Sequence, residues 1–235
     1  MLLSLFINRI ALLAKISMKR ILLIATLSLI SCLTLAEENY RITLLRASPG
    51  ALSDLILTVK KYSVKQDGNL SIMRHSQGDH WDLMLLEPSG ASPTKSADFG
   101  ALADFQHSFL AKSTTDWRTI QSIAADSDLY HIEMFHAVHG KAKELLKQRK
   151  MENAYLTATK RNANIIFETT FGSDVDSFTI GYYKNLLQFA SMPDLPENVF
   201  AKAATDAGFE SRDTIGLYLR KLIMSHNDTL ATRVD

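Results

Sequence analysis

The sequence predicts an α+β protein in which two β-α-β-β units pack against each other through their sheets. The stretch YRITLLRASPG at 40–50 is followed ninety positions later by YHIEMFHAVHG at 130–140, with Tyr, Ile, Ala and Gly at equivalent places. The elements predicted after the two stretches also follow the same order. Because one such unit leaves a sheet face bare, two units can bury their bare faces on each other.

The first 36 residues are predicted to be a secretory signal rather than part of the fold. MKR at 18–20 is followed by an apolar run at 21–30 and then by small residues. The run is too short to cross a membrane as a stable helix. The pattern is complete from Met18, which indicates that Met18 rather than Met1 is the natural start. The protein is therefore expected in the periplasm or outside the cell.

Two processing sites compete in this segment. TLA at 34–36 has the small-x-small pattern that a signal peptidase cuts after Ala36, and the polar EEN follows it. LISC at 29–32 is similar to a bacterial lipobox, which would make Cys32 the lipidated first residue of an outer-membrane lipoprotein. The first site is favoured, because the second leaves only a short tether between the lipid and the first strand.

Composition excludes several classes of function. Cys32 is the only cysteine, so a disulfide or thiolate chemistry is not expected in the mature chain. The 26 basic and 25 acidic residues leave a formal net charge of +1 without a separate Lys/Arg stripe, so nucleic-acid binding is not expected. About 200 residues are enough to bury roughly 70% of the unfolded chain's surface, so a packed core is expected to supply the stability.

The first unit is predicted from the periodicity of its apolar residues and from its turns. RITLLRA alternates like a strand, SPG at 48–50 breaks it, and the next apolar residues have helical spacing. Two turns, DGN and QGD, then separate short β-branched runs. The prediction is a strand, a helix, two strands and a helical segment, at 41–47, 51–65, 70–75, 81–87 and 99–111. The Ser- and Pro-rich stretch at 89–96 is predicted to be a linker.

The second unit repeats this order at 130–137, 141–159, 164–170, 175–183 and 184–190. The offset of 90 becomes 94 after the helix, where it pairs Gly78 with Gly172 and Asp82 with Asp176. Four additional residues, about one helical turn, therefore lie in the second helix or in the turn that follows it.

The C-terminal segment is predicted to be a helical hairpin of two helices, at 196–208 and 211–226. Both stretches carry apolar stripes, Gly208 is a plausible helix stop and Ser211 a plausible N-cap. The hairpin is expected to cover a sheet edge or a barrel mouth. The predicted organisation is a signal, a first repeat, a second repeat and the hairpin, at 1–36, 37–125, 126–192 and 193–235.

The duplicated units resemble the dimeric α/β-barrel superfamily, whose halves are ferredoxin-like. YHIEMFHAVHGKAKELLKQR and GSDVDSFTIGYYKNLLQFA look like the NIPSNAP-type branch of that superfamily. The resemblance covers roughly 40–191 and implies a pseudo-dimeric barrel within one chain. The superfamily includes cofactor-free oxygenases, haem-degrading enzymes, chlorite dismutase-like proteins and proteins without known activity, so it implies a barrel but not a reaction.

Alternation along the strand at 130–137 separates an apolar side, Ile132 and Met134, from His131, Glu133 and Phe135. We expect the apolar side to face the helices and the other side to face the space between the sheets. An imidazole beside a carboxylate in a partly apolar cavity is a credible general base. A buried polar network that fixes the register of the two sheets is the competing interpretation.

The candidate catalytic residues are His131 as base, Glu133 to orient it, and Tyr183 or Arg41 to stabilise an anionic intermediate or an oxygenated substrate. The predicted ligand is a small apolar or aromatic molecule enclosed between the sheets, and the candidate ligand-binding residues are Phe135, Glu168, Thr179 and Thr43. Two alternatives stay open: a cofactor-independent oxygenase or haem-handling enzyme that uses the His/Glu pair, and a non-catalytic scaffold of the cell envelope.

No metal site is predicted. His131, His136 and His139 are close in sequence, but the first two point to opposite strand faces and the third lies in a loop. His226 and Asp228 would join such a site only if the last helix folded over the barrel mouth. The sequence lacks a CxxCH motif, although noncovalent haem needs no such motif.

The N-terminal prediction is tested by sequencing the protein isolated from its natural cell envelope. We expect the mature chain to begin at Glu37, because the boundary after TLA is followed by polar residues. Edman degradation and intact mass measure this directly. A lipid-modified Cys32 at the N-terminus would select the lipobox instead, and a chain that keeps its first 36 residues would contradict secretion.

Overall fold

The computed structural model describes residues 37–90 and 97–234. The predicted signal and lipid-anchor site, and most of the predicted linker at 89–96, lie outside these residues. The strands are β1 Glu38–Ala47, β2 Ser71–Gln77, β3 Leu83–Pro88, β4 Ala103–Ser113, β5 Leu129–Ala137, β6 Ile165–Phe171, β7 Ser177–Tyr183 and β8 Ile223–Arg233. The α-helices are α1 Leu52–Lys65, α2 Trp117–Ala125, α3 Ala142–Ala158, α4 Leu186–Ala190, α5 Glu197–Asp206 and α6 Thr214–Leu222. None of the helices described is both long and apolar enough to cross a lipid bilayer.

The eight strands form one closed antiparallel barrel in the order β1-β3-β2-β8-β5-β7-β6-β4. Within this circle the first half has the order β4-β1-β3-β2 and the second half the order β8-β5-β7-β6. The halves meet where β2 pairs with β8 and where β4 pairs with β6. The predicted fold class, an α+β chain that closes two sheets into a barrel, is therefore confirmed.

The barrel interior is packed with large side chains from all eight strands. This cluster includes several aromatic residues, and Phe167 and Phe178 stack with ring centroids 4.5 Å apart. Burial of this apolar surface is the main favourable term in folding of the barrel. The strand residues of the cluster are Tyr40, Ile42, Leu44, Met73, Met84, Leu86, Phe109, Ala111, Tyr130, Ile132, Met134, Ile165, Phe167, Phe178, Ile180, Tyr182 and Ala231.

Helices α1 and α3 cover the outer face of the barrel, whereas α2 packs Ile120 against the interior cluster. Helix α1 buries Leu55 and Val59 against β1, β2 and β3. Helix α3 buries Leu145 against β5 and packs on α5 through Tyr155 and Phe200. Each half therefore has its own helix on the outside of a shared interior.

Two aspartates make the same contacts in the two halves. The backbone N–H of Ala47 donates to Asp82 Oδ2, and the backbone N–H of Ala137 donates to Asp176 Oδ2, both at 2.7 Å. The backbone N–H of each aspartate in turn donates to the carbonyl two residues before that alanine. These contacts hold the end of β1 and the end of β5 at the point where each strand bends into its helix.

The segment predicted to be helical at 99–111 is mostly strand, which corrects the sequence prediction. Only Gly100–Leu102 forms a short 3₁₀ turn before β4 begins. Strand β4 pairs with β1 along the whole length of β1, so it satisfies an edge that would otherwise stay unpaired. Phe105, Phe109 and Ala111 have period-two spacing, which is the strand signal that the helical interpretation missed.

The C-terminal helical hairpin is also corrected. Helix α6 ends at Leu222 rather than His226, and the chain continues as β8. This strand inserts between β2 and β5, because the free edges of those strands supply hydrogen bonds that an isolated helical turn does not. Gly208 follows α5 with a φ of +98° and ends it as predicted, whereas α6 begins at Thr214, so Ser211 is not its N-cap.

The assignment of strand faces was wrong. Ile132 and Met134 point into the barrel, whereas Phe135 packs against α3 and α6 on the outer face that it shares with His131 and Glu133. The barrel interior is the larger apolar volume, so it takes the apolar side of β5, and the helices take the mixed side. The predicted ligand pocket between the two sheets is therefore filled by side chains.

Replacing Asp82 or Asp176 with alanine tests their equivalence. We expect each change to lower the free energy of unfolding by about 1–3 kcal/mol, because a backbone N–H loses its partner. Urea unfolding followed by circular dichroism measures the effect. Asp174→Ala is the matched control, since its side chain is 90% exposed, and should stay within about 0.5 kcal/mol. A loss at only one of the two aspartates would contradict equivalent roles.

Candidate functional site

A cleft of about 390 Å³ lies on the outer face of the second half. Its floor is formed by β5 and β7, and its walls by the second half of α3, the loop at 160–164 and the segment around α4. This volume lies within the range typical of small-molecule sites. The charged, aromatic and amide side chains of its lining include His131, Glu133, Glu152, Lys160, Arg161, Asn164, Tyr183 and Phe189.

At one register position of the second half, a glycine stands where the first half has a charged residue. In the first half, Arg41 on β1 lies opposite Glu87 on β3, and the two form a buried ion pair with an N–O distance of 3.3 Å. In the second half, His131 on β5 lies opposite Gly181 on β7. A Cβ atom at Gly181 would lie 2.7 Å from Asn164 Oδ1 and 2.9 Å from the ring of Tyr183. The missing side chain therefore leaves room for those two residues beside His131.

His131 is the half-buried imidazole of the cleft. Its ring lies 5.1 Å from the ring of Phe189, and its Nε2 lies 3.5 Å from Asp228 Oδ1. Burial disfavours the charged imidazole, but the contact with Asp228 and the charge of Glu133 outweigh burial and raise the pKa of His131. The imidazole therefore lies in a site of negative potential.

Glu133 is held by two neighbours rather than by His131. Its Oε2 accepts a hydrogen bond from Thr179 Oγ1 at 3.2 Å and lies 3.6 Å from Arg149 Nη1. Burial raises the pKa of Glu133, and the guanidinium of Arg149 opposes this effect. Arg149 also donates to Glu152. Glu133 therefore belongs to a buried charge network between β5 and α3.

Tyr183 and Phe189 form the aromatic wall of the cleft. Their rings meet edge to face with centroids 5.2 Å apart. Burial raises the pKa of the Tyr183 hydroxyl, so this phenol is a neutral hydrogen-bonding group at ordinary pH. Asn164 Oδ1 is buried and has no hydrogen-bond partner among the described residues. The cleft thus has an aromatic wall of two rings inclined at 80°, whereas the unsatisfied amide oxygen is buried.

Strand β8 contributes two residues that the sequence analysis left outside the site. Asp228 lies directly opposite Glu133, and His226 lies opposite Phe135. His226 Nε2 is 3.1 Å from Asp228 Oδ2, and its ring stacks on Phe135. The contact with His131 lowers the pKa of Asp228. These residues reach the site through strand pairing, not through a helix folded over the barrel mouth.

The predicted site residues are only partly brought together. His131, Glu133 and Tyr183 line the cleft, and Thr179 is hydrogen-bonded to Glu133. Phe135 is buried beneath Arg149, whose guanidinium carbon is 4.8 Å from the ring centroid.

Three further candidates lie elsewhere. Arg41 is in the buried ion pair of the first half, and Thr43 Oγ1 lies 2.9 Å from Ser108 Oγ, also in that half. Glu168 pairs with Lys112 at 3.2 Å near the junction of β4 and β6. These three residues therefore do not join the cleft.

Sequence reasoning missed Arg149, Glu152, Phe189 and Gly181. Arg149 and Glu152 are three residues apart on a helix, which is a spacing that ordinarily indicates a solvent-exposed ion pair. The signal that could have found Gly181 is its equivalence to Glu87 at the offset of 94, because a glycine inside a strand marks a close approach.

Comparison with known proteins supports the fold only. No family model matches the chain, and neither does any curated protein. A solved protein described as anthrone oxidase-like is similar, with a TM-score of 0.55 and 10% identity over 85% of this chain and 92% of that one.

Two other solved structures are less similar. A chlorite dismutase variant from Candidatus Nitrospira defluvii has a TM-score of 0.47 and 12% identity, over 85% of this chain and 92% of that one. A haem-binding protein from Thermus thermophilus has a TM-score of 0.46 and 13% identity over the same shares of the two chains. The likeness to the anthrone oxidase-like structure concerns the fold alone and does not extend to chemistry.

The cleft does not fit a haem held by His131. An axial imidazole needs a free nitrogen that faces a flat apolar slot, whereas Nε2 of His131 lies against Asp228. His131 therefore does not fit the role of an axial haem ligand in this structure.

Replacing Arg149 with methionine tests the buried network. We expect the free energy of unfolding to fall by about 3–5 kcal/mol, because Glu133 would keep its charge without its guanidinium partner. The double variant with Glu133→Gln should recover part of this loss, since it also removes the unpaired charge. Urea unfolding of the four proteins in a double-mutant cycle measures the coupling. If the changes in unfolding free energy of the two single variants simply add in the double variant, Arg149 and Glu133 are not energetically coupled.

Proposed function

We propose that the protein is an enzyme that acts on a small hydroxylated aromatic molecule bound in the outer cleft. The observation that carries this proposal is the replacement of the Arg41–Glu87 ion pair by His131 and Gly181 at the same register position. One half closes this position with its own side chains, whereas the other leaves a cleft with a half-buried imidazole at its floor. Such a pocket with converging polar groups is typical of a small-molecule site.

The lining of the cleft supports an aromatic ligand with a polar substituent. A planar ring would pack on the wall formed by Tyr183 and Phe189. A hydroxyl group on that ring would lie beside the half-buried imidazole of His131, which is a polar group on the floor of the cleft. The solved neighbour described as anthrone oxidase-like is compatible with this ligand class, although its likeness shows only the fold.

Oxidation of an electron-rich ring is the reaction class that this arrangement favours. Transfer of the hydroxyl proton to His131 makes such a ring reactive toward O₂, which would be the oxidant. The scaffold interpretation becomes the better one only if the cleft binds no small molecule. The physiological site of action is proposed to lie outside the cytoplasm, which is supported by the N-terminal sequence pattern alone.

We also propose that the two halves arose by tandem duplication and that the chain lies in the NIPSNAP-like branch of the superfamily. The duplication is supported by the matched roles of Asp82 and Asp176, and by Gly50 and Gly140, whose φ values are +81° and +75° at the same turn. The branch is supported by the sequence motifs alone.

A thermal-shift screen of phenols, hydroxylated fused-ring ketones and quinones tests the proposed ligand class. A molecule that binds the folded state raises its melting temperature, and a ligand at 100 times its Kd contributes about 2.7 kcal/mol. We expect hydroxylated aromatics to raise the melting temperature of the wild type. The His131→Ala variant should fold but show no such shift, because its imidazole forms the floor of the cleft.

His139→Ala is the matched control, since this histidine lies exposed in the loop after β5. It should keep the full ligand-induced shift. A ligand that shifts His131→Ala as strongly as the wild type binds elsewhere and contradicts the proposal. A screen without any hit would favour the scaffold interpretation.

A further inference from the structure

Two carboxylates lie directly opposite each other on neighbouring strands in the cleft region. Glu133 on β5 is paired in register with Asp228 on β8. Like charges at opposed positions of a sheet are destabilising. The equivalent pair in the first half is Thr43 and Ser108, whose hydroxyl oxygens are 2.9 Å apart and form a neutral hydrogen bond. The second half therefore has a destabilising pair of acids at a position where the first half has two hydrogen-bonded hydroxyls.

His131 completes a set of three donors. One ligand atom each from His131, Glu133 and Asp228 lies within 4.8 Å of the other two. The distance of 3.5 Å between His131 Nε2 and Asp228 Oδ1 is long for a hydrogen bond. It is close to the separation of about 3.4 Å between two ligands of a tetrahedral ion with bonds of about 2.1 Å.

Each carboxylate is oriented through one oxygen, which leaves the second oxygen for another partner. Glu133 Oε2 is held by Thr179 and Arg149. Asp228 Oδ2 is 3.1 Å from His226 Nε2, while Oδ1 is the oxygen nearest His131. Outer contacts of this kind orient the ligands of a metal ion.

The local charge also favours a cation. Glu133 and Glu152 contact the guanidinium of Arg149, and Asp228 lies opposite Glu133, whereas Lys160 and Arg161 line another part of the cleft wall. The ionised oxygen of an aromatic ligand beside His131 would be repelled by Glu133 and Asp228, whose carboxylates are the acid groups grouped with that imidazole. A divalent ion at the three donors would balance the acid pair and attract that oxygen.

We propose that His131, Glu133 and Asp228 bind a divalent transition-metal ion of the Zn²⁺, Mn²⁺ or Fe²⁺ class. One imidazole and two carboxylates suit these ions, and three protein ligands leave a coordination position open. His131 and Glu133 line the cleft, so the open position would face the ligand space. In this arrangement His131 is a metal ligand rather than the base expected from the sequence. The metal site rests on the proposed function, because the ion would bind the substrate oxygen in the same cleft.

The test is calorimetric titration of the chelator-treated full chain with Zn²⁺, Mn²⁺ and Co²⁺. We expect one ion per chain, and Co²⁺ should show visible absorption bands that report its coordination. Asp228→Asn and Glu133→Gln should each weaken binding by at least 100-fold, beyond the 10- to 100-fold loss expected for His226→Ala as an outer contact. Circular dichroism checks that each variant is folded.

Asp174→Asn is the matched control. Asp174 is also an acid beside a histidine, with Oδ2 3.6 Å from His136 Nε2, but its side chain is exposed. It should bind the ion as the wild type does. Absence of stoichiometric binding to the wild type, or equal binding by wild type, Asp228→Asn and Glu133→Gln, would overturn the metal site.

These measurements can contradict the proposed metal site and the proposed ligand class independently of each other. Metal binding is measured without any organic molecule, and the ligand screen is repeated with chelator and with the bound ion. Metal binding without any aromatic ligand would contradict the proposed substrate class alone. A ligand shift that persists in chelator, in a chain that binds no ion, would contradict the metal site alone.

Discussion

Closure of the eight-stranded barrel around an apolar interior is the constraint on which the rest of the structure depends. Because strand side chains alternate, each residue that fills the interior sends its neighbours to the outer face. On β5, Tyr130, Ile132 and Met134 enter the shared core, so His131 and Glu133 must lie outside, under α3. The site is therefore built between the sheet and a helix, not between the two sheets.

The two halves place different side chains at the same register position. The first half joins Arg41 to Glu87 across β1 and β3, and Tyr62 on α1 donates to the same carboxylate at 3.3 Å. The second half replaces this contact with His131 and Gly181. A buried ion pair is an expensive way to fill space, because desolvation offsets much of the attraction. In the second half an imidazole and a glycine stand at these positions, and the imidazole lines the cleft.

The charged residues around the cleft are held in place from both the helix and the sheet. Arg149 is nearly fully buried, and it holds Glu133 from the helix side while Thr179 holds it from the sheet side. Asp228 lies on β8, directly opposite Glu133 on β5. Glu133 is the buried member of this acid pair and needs these partners, whereas the side chain of Asp228 is 53% exposed.

Periodicity and repetition in the sequence alone determined the α+β class, most of the strands and helices of both units, and the presence of His131, Glu133 and Tyr183 at one site. These are local features, since apolar spacing and turn residues are set within a few positions. Only the tertiary structure decided that 103–113 and 223–233 are strands, because open edges of β1, β2 and β5 needed partners. It also decided which face of β5 is inside, because that depends on the volume enclosed by all eight strands together.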